Sequence, residues 1–147
     1  MKKNFLLLAI FLTAILPVFS QQTKDAIIGL WYSPDKTQII EIYVKNNFYY
    51  GKIHWLKNSV SEGELKRDVY NENPNLRSRQ LTGIDVFLKF EYRPGKEKWK
   101  SGEIYNFENG NTYNGKMRIN SDGNLEVHGY WWFLSFLGST KIYVGVK

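Results

Sequence analysis

The chain has no cysteine, two histidines, two methionines and four prolines among its 147 residues. Without cysteine there are no disulfide staples and no thiolate nucleophile or metal ligand, so stability must come from packing alone. His54 and His128 do not form a His-x-x-x-His pair, and a metal site would lean on carboxylates alone. No Gly-x-Ser-x-Gly elbow and no phosphate-binding glycine loop occurs. Asp35, Asp68 and Glu103 are the carboxylates that a hydrolytic pair would draw on, and nothing in their spacing brings them together. The sequence therefore assigns no catalytic residue, metal ligand or cofactor, and favours a non-enzymatic role.

Long apolar runs are also scarce. One runs from Phe5 to Phe19, behind Lys2 and Lys3 and ahead of small Ser20. That order of charge, apolar core and small residue is the pattern of a secretory signal peptide. The run is about 15 residues and holds Thr13 and Pro17, short of the roughly 20 apolar residues that cross a bilayer as a helix. The expectation is a leader over residues 1–20 and one domain over residues 21–147, with no transmembrane segment. The protein is then periplasmic or secreted, and no cysteine follows the leader to carry a lipid.

Aromatic residues are abundant: 5 Trp, 10 Tyr and 9 Phe. The formal charge of +6 falls to +4 when Lys2 and Lys3 leave with the leader. A basic, aromatic-rich chain raises the question of nucleic acid. Its charges alternate in sign, as in Glu64-Leu65-Lys66-Arg67-Asp68, which reads as a solvated surface, and export argues further against a nucleic-acid partner.

The dominant pattern has period two. Positions 84, 86, 88, 90 and 92 are apolar while their neighbours are mostly charged, the signature of a strand with one wet face. Residues 113–119, 125–131 and, less cleanly, Gln38–Lys45 repeat it. Turn residues fall between the runs: Asn46-Asn47, Arg93-Pro94-Gly95-Lys96, Asn109-Gly110 and Ser121-Asp122-Gly123-Asn124. With a first strand over 27–32 and a last over 140–146, about eight strands follow one another through short turns. The predicted fold is all-β, a single antiparallel up-and-down barrel, because closure buries one face and removes exposed edges. Strand parity places Trp31, Tyr49, Trp55, Val86, Leu88, Phe90, Tyr105, Tyr113, Met117, Val127 and Trp131 inside.

Residues 58–80 break the alternation. Connections this long in compact domains are usually lids or binding loops. Ser61-Glu62-Gly63-Glu64 has capping-box spacing and Leu65 lies one turn from Val69, which predicts a short helix there. The segment also gathers Asp68, Asn71, Asn73, Arg77 and Arg79. Either Arg77 or Arg79 clamps the anionic head of a ligand, or they pair with Asp68 and fix the connection to the barrel. The expected binding set is Trp31, Trp55, Asp68, Asn73, Arg77, Arg79, Leu88, Tyr105 and Tyr113, for a small and largely apolar ligand. A second expectation is a structural or interaction module. Residues 131–137 are consecutive large apolar groups, and Trp132 with Phe133 would touch a membrane surface or a protein.

Gly29-Leu30-Trp31 at the head of the first strand resembles the Gly-x-Trp signature of lipocalins, whose indole plugs one barrel end. The resemblance implies a basic side chain over that indole, for which Lys141 and Lys147 are the candidates. A longer ordered series covers nearly the whole domain: Tyr50-Gly51-Lys52-Ile53, Asp68, Asn73-Pro74, Arg77-x-Arg79, Leu81-x-Gly83, Trp99, Gly102-x-Ile104-Tyr105, Gly110-x-x-Tyr113, Leu125-x-Val127-x-Gly129-Tyr130 and Gly138. It resembles the exported bacterial family catalogued as domain of unknown function 2147, which implies a calycin-like barrel and no established reaction. Asn106-Phe107 stands where an acidic residue and a proline are expected, and Gly145 stands near an expected late arginine. If that arginine packs on Trp31 elsewhere in the family, this chain must close the barrel end differently.

Overall fold

The computed structural model describes residues 23–61, 63–131, 133–134 and 136–147; the expected leader and Trp132 lie outside them. Eight strands close into an antiparallel barrel. In chain order they are β1 (Gly29–Tyr32), β2 (Gln38–Lys45), β3 (Phe48–Leu56), β6 (Asp85–Arg93), β7 (Lys98–Tyr105), β8 (Thr112–Ile119), β9 (Leu125–Tyr130) and β10 (Gly138–Gly145). Each pairs with its neighbour in this order, and β1 pairs with both β2 and β10. The exception to short connection lies between β3 and β6. There a small hairpin of β4 (Val60–Ser61) and β5 (Glu64–Leu65) is followed by a 3₁₀ turn at Pro74–Leu76.

Local chemistry explains the turns. Asn46 and Asn47 have φ of 51° and 64°, both in the left-handed region that a two-residue type I′ hairpin requires and that asparagine tolerates. The short helix expected near residues 61–69 is replaced by the β4–β5 hairpin. Gly63, at φ 84°, turns the chain back before a helical turn can form.

Of the four register shifts in the barrel ladders, three correct the expected parity. Ile40 faces Ile53 while Ile39 faces Trp55, so His54 is an extra residue in β3 and rotates Trp55 to the outer face, where it is 41% exposed. Tyr49 faces Phe90 and Gly51 faces Phe87, so three steps of β6 match two of β3, with Lys89 at φ 54°. Phe87 therefore turns inward, and Leu88 sits half-buried on the outer wall instead of inside. Ser101, at φ 59°, makes the third bulge between the pairs Trp99–Met117 and Gly102–Gly115. Ile104 thereby shares the inner face with Gly102, and Tyr105 moves to the opposite parity.

The core fills one end of the barrel. Phe90 and Trp99 are fully buried, and the Phe90 ring lies where side chains at Gly102 and Gly115 would be. A Cβ would come within 2.3 Å of that ring at Gly102 and 2.6 Å at Gly115, so bare backbone is needed at both. Tyr49 meets Trp99 edge-on at 6.0 Å. Below them Trp31 donates from Nε1 to the Ile27 carbonyl at 2.8 Å, and Ile27 is itself fully buried. Against the Trp31 ring lies Gly145, whose Cβ position is 3.8 Å from it. Among the described residues, the lysines seated over rings are Lys52 on Tyr43 and Lys116 on Tyr130, not Lys141 or Lys147 on Trp31.

Candidate functional site

The opposite end carries the turns 33–37 and 106–111, the long connection 57–84 and the segment 131–137. Inside this mouth is a cavity of about 380 Å³. That lies toward the lower end of the ~300–1,000 Å³ typical of small-molecule sites. Phe87, Ile104, Tyr113, Val127 and Tyr143 line it, and Trp131 stands at its rim against Tyr113, 4.9 Å between ring centroids. Each wall residue is there for a reason of register: Phe87 pairs with Ile104, Ile104 with Tyr113, and Met117 with Val127. The floor is Phe87, edge-on to Tyr143 at 5.8 Å and to Phe90 at 6.3 Å. Gly129 leaves the wall bare: a Cβ there would touch only Ile104 at 3.4 Å and Tyr113 at 3.9 Å.

Beside the mouth the long connection is tied to the barrel by one buried carboxylate. Asp68 is fully buried. Its Oδ2 accepts from Arg79 Nε at 2.9 Å, Arg79 Nη2 at 2.8 Å and Asn71 Nδ2 at 2.8 Å. Its Oδ1 accepts from the Tyr105 hydroxyl at 2.5 Å, and Asn71 Nδ2 also reaches that hydroxyl at 3.1 Å. Burial first, and then the bond to Asp68, push the Tyr105 phenol up to about 12. The quartet satisfies a charge that would otherwise be costly to bury.

The other polar residues serve the connection itself. Arg77 Nε donates to the Asn71 carbonyl at 2.7 Å, and Asn73 Oδ1 caps the 3₁₀ turn by accepting from Asn75 N at 3.0 Å. Arg67 Nη1 donates to the Ser78 carbonyl at 2.5 Å. Gly110, at φ 77°, lies so close to Tyr70 that a Cβ would fall 1.9 Å from its carbonyl oxygen. The connection thus rests its backbone directly on the β7–β8 turn.

The residues singled out from sequence divide into five places. Tyr105 and Tyr113 line the mouth cavity. Asp68, Asn73, Arg77 and Arg79 come together in the connection. Leu88 lines a separate outer cleft of about 320 Å³ with Arg79 and Tyr105. Trp31 lies at the filled end and Trp55 on the outer surface, apart from the cavity. His54, on the outer wall, has Nδ1 3.0 Å from Glu41 and is exposed. Two cavity residues, Lys141 and Tyr143, were not in the expected binding set. Their signal was present: both share the parity of Val127 and Leu125, their partners across β9.

The apolar segment reaches the same mouth through Trp131. Trp131, Phe133, Phe136 and Leu137 are 49%, 62%, 78% and 55% exposed. Among the described residues, no helix is long and apolar enough to cross a membrane.

Comparison with known proteins agrees with this architecture. Protein HP1028 from the human pathogen Helicobacter pylori, described as belonging to the lipocalin family, is a structural neighbour with a TM-score of 0.71. It is 24% identical, with 82% of each chain covered, and the likeness extends to the fold. No curated protein matches the chain. Residues 29–144, from the first strand of the barrel almost to the end of the last, match the family described as "Uncharacterized protein conserved in bacteria (DUF2147)", and the chain belongs to that family.

Proposed function

We propose that the protein is an exported, non-enzymatic carrier that holds a small, largely apolar ligand in the mouth cavity. The observation that carries this reading is a space of about 380 Å³ walled by Phe87, Tyr113, Val127 and Tyr143 and open between the loops. Close packing is the rule in protein interiors, so an aromatic-lined void beside a tightly filled core calls for an occupant. Export rests on the leader pattern of residues 1–20. The Asp68–Arg79 pair supports the ligand site by holding the long connection against the β7 rim through Tyr105.

Uptake of an environment-sensitive apolar dye tests the reading, with Gly129→Leu as the control. At Gly129 a Cβ is accommodated, and the remainder of a leucine projects into the cavity. The wild-type protein should bind the dye and the variant should lose at least about tenfold in affinity while keeping its melting temperature. Equal dye binding by both proteins, or none by the wild type, overturns the proposal.

A second reading draws on the exposed side chains of Trp131, Phe133, Phe136 and Leu137. An apolar patch at this position suits docking to a membrane surface or a protein. Because it borders the cavity mouth, docking and carriage are compatible.

A further inference from the structure

The cavity is walled mainly by apolar and aromatic groups; Gln38, Asn106 and Glu108 stand in its lining, and β10 adds a polar strip with the lysine of the site. Alternate residues of a strand face the same side, so Lys141 and Tyr143 both point inward, about 7 Å apart along the chain. Their partners on β9, Val127 and Leu125, are buried, and both Lys141 and Tyr143 line the cavity. Tyr143 is 5% exposed, yet its hydroxyl makes no hydrogen bond to any described residue. The hydroxyl is not among the sealed side-chain atoms that lack a partner, so it opens on the cavity, where a ligand can supply the bond. The Lys141 ammonium forms no ion pair among the described residues. A free donor and a free cation therefore stand side by side in an aromatic-walled space.

The geometry points to recognition of a carboxylate by the Lys141 ammonium and the Tyr143 hydroxyl, with the ligand's apolar body against Phe87 and Tyr113. This inference rests on the carrier reading above and specifies its ligand as a monocarboxylic acid. Burial, and after it the Asp35 carboxylate, push the Tyr143 phenol up to about 12, so it keeps its proton and acts as donor. Asp35 is engaged by Ser33 Oγ at 2.6 Å and Thr37 Oγ1 at 2.9 Å. Glu108 lies on the cavity rim as well. One lysine thus shares the cavity with the Glu108 carboxylate, and the field of Asp35 reaches Tyr143, so the site matches one negative charge better than two.

Calorimetric titration with decanoate, decanol and decyl phosphate tests the assignment on the wild type, Lys141→Met and Tyr143→Phe. Both substitutions keep the bulk of the side chain, and Lys141 is exposed, so folding should be retained. Decanoate should bind roughly tenfold more tightly than decanol, and more tightly than decyl phosphate. Lys141→Met should weaken decanoate by roughly tenfold and Tyr143→Phe by severalfold, with decanol unchanged within about twofold. Decanol binding as well as decanoate, or variants that weaken both alike, overturns the carboxylate assignment and leaves the carrier reading standing. Preference for decyl phosphate overturns the choice of a single charge. Failure of all three to bind the wild type overturns the carrier reading, and this inference with it.

Discussion

The two ends of the barrel are built from the same eight strands and differ in what fills them. At one end the strands are joined by the turns 46–47, 94–97 and 120–124, and the interior is solid. Phe90 lies over Gly102 and Gly115, Trp99 is packed by Tyr49 and Tyr92, and Ile27 with Trp31 seals the base. At the other end the loops are longer, and bare backbone at Gly129 lines the cavity. A glycine on the inner wall thus does opposite work at the two ends. Under Phe90 it makes room for a ring that the chain itself provides; at Gly129 it leaves that room empty. The contrast places the packed core at the first end and the open space at the second, where the proposed carrier would hold its ligand among loops carried by a rigid scaffold.

The largest test of this division is Phe90→Ala. The residue is fully buried, and truncation of a buried phenylalanine costs about 3–5 kcal/mol. Urea unfolding of this variant should show that loss, whereas Gly129→Leu at the other end should leave the midpoint nearly unchanged. Equal destabilisation by both would break the comparison. Next in size is Asp68→Asn, which removes the charge holding Arg79. Breaking a fully buried pair costs about 3–5 kcal/mol, but the Arg79 side chain is 36% exposed and can return to water, so about 2–3 kcal/mol is expected. Its effect should also be local. Amide exchange should accelerate in residues 66–81 before it changes in β7 and β8, because Asp68 ties the connection to the barrel at Tyr105. Uniform acceleration through the barrel would show that the connection is part of the core.

Much of this division was legible in the sequence, and the part that was not has a physical cause. Alternation over residues 84–92, 113–119 and 125–131 located the strands, and Asn46-Asn47 supplied a hairpin turn that tolerates left-handed backbone. The pairing of Asp68 with an arginine was one of two readings open from composition, and the structure forms it with Arg79. What sequence could not locate were the bulges. Nothing about Lys89 or Ser101 as residue types signals a positive φ, since a bulge is set by the register of two strands at once. The slips exchanged inner and outer faces, which is why Phe87 replaced Leu88 on the wall, Ile104 joined Tyr105 around the cavity, and Trp55 turned out. The mouth cavity was equally hidden, because it depends on which rings are missing from a shared space. Lys141 and Tyr143 lay on the correct parity throughout, but only the cavity gives that parity a use.

The smallest expected effect lies in alkaline solution, and it concerns the two mouth phenols. Tyr105 and Tyr143 are each pushed up to about 12, from an ordinary tyrosine value of 10, chiefly by burial. The folded protein therefore holds these protons more tightly than the unfolded chain. By linkage their contribution is fully present below pH 10, where neither state has ionised, and is lost as pH climbs from 10 toward 12. At the filled end Tyr49 is raised in the same direction, by burial and then by Asp25. Phenolate absorbance should accordingly show a late-titrating group of tyrosines that coincides with alkaline unfolding. Tyr105→Phe separates the two mouth phenols: it should lower stability at neutral pH by removing a donor to Asp68, and flatten the alkaline slope by removing one late proton. Tyr143→Phe removes a late proton without breaking any hydrogen bond, so it should flatten the slope with little cost at neutral pH. If instead Tyr143→Phe proved as costly at neutral pH as Tyr105→Phe, its hydroxyl would be serving the fold, and the mouth would be less distinct from the filled end than its cavity suggests.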